Sequence, residues 1–383
     1  MIFMHMADLH IGKRVNEFNM LEDQRYILKQ ALSIAEKNKV DVILLAGDIY
    51  DKSLPPGEAV ALLDEFLTDI AHNGMKAVVV SGNHDSPERL AFGRKLMQSE
   101  GVYVSGVFNG KMNILSLRDD FGLVNIYMLP FIKPLHVKKY FPENEIDSYT
   151  QAVKTVIDNA EVEDKMRNVL IAHQFVVSSG AEPMRSDSEN ISVGGLDHVE
   201  ASVFDIFDYV ALGHLHHPQS IGRDAVRYAG SPLKYSFSEA GAKKEKSVTI
   251  IEMKDKKNIK ISKIPLTPLR DMVEIKGPLK DLLDPENHRH LGLDNYIHAT
   301  LTDKEEIIDA IGKIRSVYPN VMKIDFENSR TKTVEADSVA KDVTEKTSFQ
   351  LFEEFYKINN NEEMEDKQKE LVRVLLENMG VVI

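Results

Sequence analysis

The chain has 383 residues, 43% hydrophobic and 28% charged, an ordinary globular balance whose length predicts two or three domains. It contains no cysteine, which excludes disulfides, thiolate zinc sites and cysteine nucleophiles, so any metal must be held by His, Asp, Glu or Asn. The net charge of −13 argues against a uniformly basic nucleic-acid surface, but residues 241–263 carry eight Lys against three acidic residues, a local track that a global charge does not exclude.

The N-terminus has no basic segment followed by an apolar run, so no signal peptide is expected. The longest apolar runs, such as Val40–Gly47 and Met75–Ser81, are far short of a membrane span, and the expected location is the cytoplasm. Ile2–Met6 reads as a strand. Leu21–Lys37 has helical periodicity, with Leu21, Ile27, Leu28, Ala31, Leu32 and Ala35 on one side. Val40–Ala46 and Met75–Ser81 read as buried strands, separated by a helix at Gly57–Ala71 and followed by one at Pro87–Ser99. This βαβ order implies a mainly parallel sheet with helices packed on it, an α/β fold. Further strands are expected at Asn125–Leu129, Val169–Ala172, Tyr209–Leu212 and Val248–Met253, and polar Ser178–Val193 reads as a loop.

The chain is expected to divide into a core (1–265), a small α+β unit (266–330), a polar linker (331–346) and a helical segment (347–383). The small unit shows strands near Met272–Ile275, Tyr296–Leu301 and Val321–Phe326, with a helix at Lys304–Ser316. In the last segment Phe349, Phe352 and Tyr356 form one stripe behind a Thr347–Gln350 capping box. A loop of three Asn, 359 to 361, precedes a second helix carrying Val372, Leu375, Leu376 and Met379. Short amphipathic helices beyond a linker suit a partner better than their own domain.

Five short motifs each follow an apolar strand: Asp8-Leu9-His10, Gly47-Asp48-Ile49-Tyr50-Asp51, Gly82-Asn83-His84-Asp85, Ala172-His173 and Gly213-His214-Leu215-His216. In α/β sheets ligands bind at the C-terminal strand edge, so five strand ends can converge on one place. Singly, each motif has an ordinary reading as a turn or a chance pair. Together they offer Asp8, His10, Asp48, Asn83, His173, His214 and His216 as a mixed O/N donor set suited to Mn²⁺, Fe²⁺ or Zn²⁺. Seven donors are too many for one ion, whereas two ions sharing one carboxylate account for them. Such a pair activates water and clamps phosphate oxygens. His84, on the same turn as Asn83, is the candidate catalytic histidine, and Asp51 is expected to orient it with its carboxylate. Gly241-Ala-Lys-Lys-Glu-Lys-Ser247 lacks the second Gly of a phosphate loop, so no ATP site is expected, and its lysines read as a solvated turn. The sequence does not mark which residues would touch a nucleic acid, and Lys13, Arg89, Arg94 and the lysines of 243–263 are only candidates.

The five motifs resemble those of the calcineurin-like metallophosphoesterase superfamily over about residues 1–235. Asp8-Leu-His-Ile-Gly-Lys13, Leu21-Glu-Asp-Gln24, Gly82-Asn-His-Asp-Ser-Pro-Glu-Arg-Leu90 and the stretches 204–218 and 228–239 further resemble the SbcD family of bacterial nuclease subunits. The resemblance implies a four-layer β-sandwich flanked by helices, with a small α+β capping domain at 266–330 that helps hold DNA. It implies a first metal on Asp8, His10, Asp48 and His216, and a second on Asp48, Asn83, His173 and His214, with two Mn²⁺ the usual ions. It also implies double-strand exonuclease and single-strand or hairpin endonuclease activity in DNA repair, recombination and replication. The implied partner is an SbcC-type ATPase with a long coiled coil, joined by the helices after Lys346, with a nuclease homodimer inside a heterotetramer. There is one departure: archaeal and eukaryotic relatives place a His where Asp51 stands. Cyclic-nucleotide phosphodiesterases and protein phosphatases would share residues 1–235 without needing the C-terminal third, and a decayed scaffold would lack ligands that are all present here.

Overall fold

The computed structural model describes residues 1–178, 183–189, 197–241, 245–284, 292–305, 307–327, 347–360 and 363–378. The chain separates into two compact units, Met1–Met272 and Val273–Ile383.

The first unit holds two six-stranded sheets. One runs in the order Ile259–Pro265, Ser247–Met253, Ile2–Met6, Val42–Ala46, Lys76–Val80, Val102–Val104. The other runs Gln219–Ile221, Arg223–Tyr228, Tyr209–Gly213, Arg167–His173, Gly122–Leu129, Asn113–Asp119. The mainly parallel sheet read from the sequence becomes two mixed sheets, each with parallel central pairings and antiparallel hairpin pairings. Short turns join the hairpins, as at Gly122, whose φ of 108° suits a residue without a side chain.

Strands covered on both faces carry continuous apolar runs rather than alternation. Phe3, Leu44, Val78 and Val80 of one sheet meet Val124, Ile126, Val169 and Ile171 of the other in a shared core. The opposite face of the second sheet, with Leu170, Ala172 and Leu212, packs on Ala152, Val153 and Val156 of the helix Tyr149–Asp158. On the first sheet the helix Gly57–His72 packs against Lys76–Val80 and against the helix Leu21–Lys37. The result is the four-layer helix–sheet–sheet–helix arrangement. His5 ties the sheets together: its ring nitrogens lie 3.0 Å from the Tyr209 hydroxyl and 3.1 Å from the Leu212 carbonyl. Burial, reinforced by the charge of Arg227, lowers its pKa to about 3, so it stays neutral.

The helix expected at Pro87–Ser99 is broken. Pro87–Leu90 and Arg94–Met97 are separate short helices, and Gln98–Glu100 is a 3₁₀ turn. Gly93, at φ 72°, interrupts the helical path between them. In the second unit Met272–Gly277, Tyr296–Leu301 and Val321–Phe326 form a three-stranded sheet over Ile314 and Tyr318. Its helix starts at Ala310, not Lys304, because Asp309 caps it with its carboxylate on the Gly312 amide at 3.2 Å. The last two helices are Ser348–Asn360 and Asp366–Asn378. The Thr347–Gln350 capping box is reciprocal, with Gln350 Oε1 2.9 Å from the Thr347 amide and Thr347 Oγ1 3.3 Å from the Gln350 amide. Asn359 and Asn360 belong to the first of these helices rather than to a loop. The expected linker 331–346, Asn361 and Met379 lie outside the described residues, as do parts of the loop expected at Ser178–Val193. No helix among the described residues is long and apolar enough to cross a membrane.

Candidate metal centre

The parallel strands of both sheets end at one edge, and every motif residue lies at those ends. Asp8 and His10 follow Ile2–Met6, Asp48 follows Val42–Ala46, and Asn83 and His84 follow Lys76–Val80. His173 closes its own strand, and His214 and His216 follow Tyr209–Gly213. The loops are sewn together by main-chain bonds, Asp8 N to Gly47 O at 3.0 Å and His10 N to Asp48 O at 2.9 Å. Asp85 braces two of them by accepting from the Ile49, Tyr50 and Gly82 amides at 3.1, 2.9 and 2.8 Å. Asp8, His10, Asp48 and His214 have φ of 54°, 45°, 47° and 118°, conformations that cost a non-glycine residue energy and concentrate at functional sites.

Two glycines let these loops approach. A Cβ on Gly82 would overlap the Asp48 carboxylate. One on Gly213 would overlap the Ala46 carbonyl oxygen and fall 2.7 Å from His173 Nδ1. Gly213→Ala is therefore expected to part the two sheet edges, lowering both bound metal and melting temperature. Metal analysis and a thermal melt check this, and a variant with full metal content would refute it.

All seven expected ligands converge. His10 Nε2 and His216 Nε2 face each other at 3.1 Å. Asn83 Oδ1 lies 3.0 Å from His173 Nε2 and 3.1 Å from His214 Nδ1. Asp48 Oδ2 lies 3.5 Å from His173 Nε2 and 3.8 Å from His10 Nε2, between the two groups. The Asp8 carboxylate accepts from the His214 amide at 2.9 Å and lies 3.9 Å from His173 Nδ1. Asp8, His10 and His216 present donor atoms close enough together to hold one ion, as do Asp8, Asp48 and His173.

The tautomers show what these atoms require. His173 Nδ1 meets the Ala46 carbonyl at 2.9 Å, and a carbonyl only accepts, so Nδ1 carries the proton. Its Nε2 then turns a lone pair toward the Asn83 oxygen. His216 Nδ1 meets Ser188 Oγ at 2.7 Å while that hydroxyl donates to Glu239 Oε1 at 3.0 Å, so His216 Nε2 likewise offers a lone pair to His10. Lone pairs facing at these distances repel unless a cation or proton lies between them. The buried His10 Nδ1 and His214 Nε2 have no hydrogen-bond partner among the described residues. The electrostatics agree. Burial opposes a charge on His173, but Asp48 outweighs it and lifts the ring to about 9. Burial pushes the Asp8 carboxyl well above its usual range, and Asp48 adds to the effect. Burial lowers His10 and His216, and brings His214 to about 3. Three imidazoles that stay neutral, and a fourth that Asp48 draws toward a positive charge, mark a site whose carboxylates are short of cations, and the donor set fits divalent ions.

His84 lies at the rim, its ring edge-on to His10 with centroids 4.9 Å apart and its Nε2 3.9 Å from Asp48 Oδ2. It is held by main chain. Its amide donates to Asp48 Oδ1 at 2.9 Å, and its Nδ1 donates to the carbonyl oxygen of Asp51 at 2.8 Å. The orienting contact expected from the Asp51 carboxylate is thus made by the Asp51 backbone. The carboxylate instead pairs with Lys13 at 2.7 Å and lies 3.6 Å from His10 Nδ1.

A further set of residues supports His216. Ser188 Oγ links its Nδ1 to Glu239, which is buried and ion-paired with buried Lys246. Lys246 Nζ also donates to the His216 carbonyl at 2.8 Å and to Ser231 Oγ at 2.9 Å. Glu189 Oε1 accepts from the His216 amide at 2.7 Å, and burial raises its pKa to about 7. Lys246 is therefore neither solvated nor a DNA contact, while Lys243 and Lys244 lie outside the described residues. Removing a partner that orients a ligand costs about 10- to 100-fold in metal affinity. Ser188→Ala is expected to weaken Mn²⁺ binding within that range in calorimetry, and an unchanged affinity would refute the role.

Residues 1–218 match the model of the calcineurin-like phosphoesterase family, and residues 268–360 match that of the type 5 capsule protein repressor C-terminal domain. The chain is 32% identical over 385 residues to the SbcD subunit of the SbcCD nuclease of Staphylococcus epidermidis, covering 98% of each. A dimetal phosphatase from Danio rerio superposes at a TM-score of 0.44 with 11% identity, over 70% of this chain and 98% of that one.

Proposed function

The chain belongs to the calcineurin-like phosphoesterases and, within them, to the SbcD nuclease subunits, and from that premise we propose that it is a Mn²⁺-dependent DNA nuclease. It is a metal-dependent phosphodiester hydrolase. In this reading it degrades duplex DNA from its ends and cuts single strands and hairpins. It acts in the cytoplasm, in DNA repair and recombination, with an SbcC-type coiled-coil ATPase, as a homodimer within a heterotetramer. The observation that carries it is the convergence of seven O and N donor residues at the strand ends, with His10 against His216 and Asn83 against His173 and His214.

Asp8, His10, Asp48 and His216 would hold one ion and Asp48, Asn83, His173 and His214 the other, with Asp48 shared. When bound, the pair supplies an activated water and neutralises phosphate charge. The chain's own residues do the rest. The Ala46 carbonyl fixes His173 with Nε2 inward, and Ser188 does the same for His216. The Asp51 carbonyl fixes the proton on His84 Nδ1, leaving Nε2 toward the site. A second proton on that nitrogen can stabilise a phosphate oxygen and pass to the leaving alkoxide.

The test is degradation of linear duplex DNA in Mn²⁺, with bis-p-nitrophenyl phosphate run beside it. Hydrolysis of the small ester without DNA cleavage, even with the ATPase partner and ATP, would overturn the nuclease reading. Partner docking is assigned to the two C-terminal helices, whose exposed Phe355, Leu371 and Leu375 suit an apolar coiled-coil surface. A chain truncated after Arg330 is expected to keep two ions per chain and lose the ATPase in a pull-down. Retained binding would refute the assignment.

A further inference from the structure

Beside the second ligand group lies a cavity of about 390 Å³, within the range of about 300–1,000 Å³ that holds small ligands. Asn83 and His214 form part of its wall, so it is continuous with the metal centre. Three aromatic side chains, Phe131, Tyr149 and Phe175, line it. Two of them are set against ligands: Phe131 stands edge-on to His173 with centroids 6.3 Å apart, and Phe175 lies 6.0 Å from His214. The Arg185 guanidinium sits 4.7 Å from the Phe175 ring centre. Exposed Lys133 and His136 also line the cavity, and Lys133 makes no ion pair among the described residues. Asp197 puts a carboxylate in the wall. The Asp85 carboxylate is already committed to three backbone amides.

Aromatic faces with flanking cations suit a nucleotide, because every base has a face to stack and every link a phosphate to neutralise. A carboxylate in the wall disfavours a phosphate inside the cavity and suits the N–H groups of a neutral ring. We propose that this cavity is a base pocket: it takes one unpaired nucleobase of the strand being cut, while that nucleotide's phosphate lies over Asn83 and His214 and Lys133 meets the next phosphate along. The proposal rests on the nuclease reading and names the part of the substrate that the site grips beside the reacting phosphate.

The test uses the full chain loaded with Mn²⁺ and measures competitive inhibition of bis-p-nitrophenyl phosphate hydrolysis. The probes are thymidine 5′-monophosphate, methyl phosphate, which has no base, and the dinucleotide pTpT. Stacking of one base predicts an inhibition constant for the mononucleotide at least about tenfold below that of methyl phosphate. Phe131→Ala and Tyr149→Ala are each expected to bring that ratio toward one. Lys133→Ala is expected to keep the ratio but lose the extra tightness of pTpT over the mononucleotide. A wild-type ratio near one overturns the proposal, and so does a ratio unchanged in both aromatic variants. An equal rise in both constants, leaving the ratio intact, also overturns it, since that marks damage to the metal centre. Should an aromatic variant misfold, the wild-type ratio still decides. Cleavage of duplex DNA is measured in parallel: a tenfold ratio without DNA cleavage sinks the nuclease reading alone, and cleavage with a ratio of one sinks the pocket alone.

Discussion

Asp48→Ala is expected to leave the chain without its pair of ions and to cut phosphodiester hydrolysis by about three orders of magnitude or more, since several kcal/mol of charge stabilisation is withdrawn. The reason is position. Among the described residues, Asp48 Oδ2 is the carboxylate oxygen lying within 4 Å of both His10 and His173, which belong to different ligand groups. Its other oxygen accepts the His84 amide, so the same substitution also frees the turn that carries the catalytic candidate. Asp8→Ala is the control, because Asp8 is assigned to one ion only. Metal analysis should find near two ions per wild-type chain, about one in Asp8→Ala and less than one in Asp48→Ala. One full ion retained in Asp48→Ala would mean that the carboxylate is not shared. Burial would push the Asp48 carboxyl up, yet the nearby His173 outweighs it and holds the group well below the usual range. The charge that two ions would share is thus already present near neutral pH.

Why were the expected ligands legible when their supports were not? Each ligand follows an apolar run on a parallel strand, and the edge where parallel strands end is where α/β sheets bind ligands. That placement held for Asp8, His10, Asp48, Asn83, His173, His214 and His216 alike. The supports of His216 come from residues 188, 239 and 246, which no local pattern connects. Two of them are a Glu and a Lys, types that are seldom buried unless paired, so a pair between them cannot be anticipated from either alone. Glu239 lay at the end of the stretch resembling SbcD, and Lys246 lay in a run of lysines that by composition reads as solvated. The contact from Asp51 to His84 is made by a carbonyl, which every residue possesses and no sequence marks. At the level of the fold, the apolar runs gave the central strands to within a few residues. The hairpin Asn113–Asp119 with Gly122–Leu129 was missed in part because its outer strand is mostly exposed and polar. The helix Tyr149–Asp158 was not read from the sequence either, although Ser148 and Gln151 form a capping box before Ala152, Val153 and Val156 that could have marked it. Gly93, inside an otherwise helical pattern, was the available sign that Pro87–Ser99 would not run unbroken.

His84→Ala should separate chemistry from coordination. The side chain stands at the rim and is held through Nδ1 by a carbonyl, so its loss opens no link between the two ligand groups. A general acid or charge-stabilising histidine contributes about 10²–10⁴-fold. The variant is therefore expected to lose that much cleavage of both DNA and bis-p-nitrophenyl phosphate while keeping near two ions per chain. A fall to one ion would make His84 a ligand, a reading open to it because His10, Asp48 and His84 can also gather around one cation. Asp51 sharpens the comparison. Were its carboxylate the orienting group, Asp51→Ala would approach His84→Ala in effect. Because the main-chain oxygen makes the contact, Asp51→Ala should retain His84 in place and lose far less activity. What it does lose should come through Lys13 and His10, whose Nζ and Nδ1 lie 2.7 and 3.6 Å from the Asp51 carboxylate. A tenfold weaker metal affinity in Asp51→Ala, with the turnover of the fully loaded enzyme nearly intact, is the expected signature. Equal loss of turnover in the two variants would return the orienting role to the carboxylate.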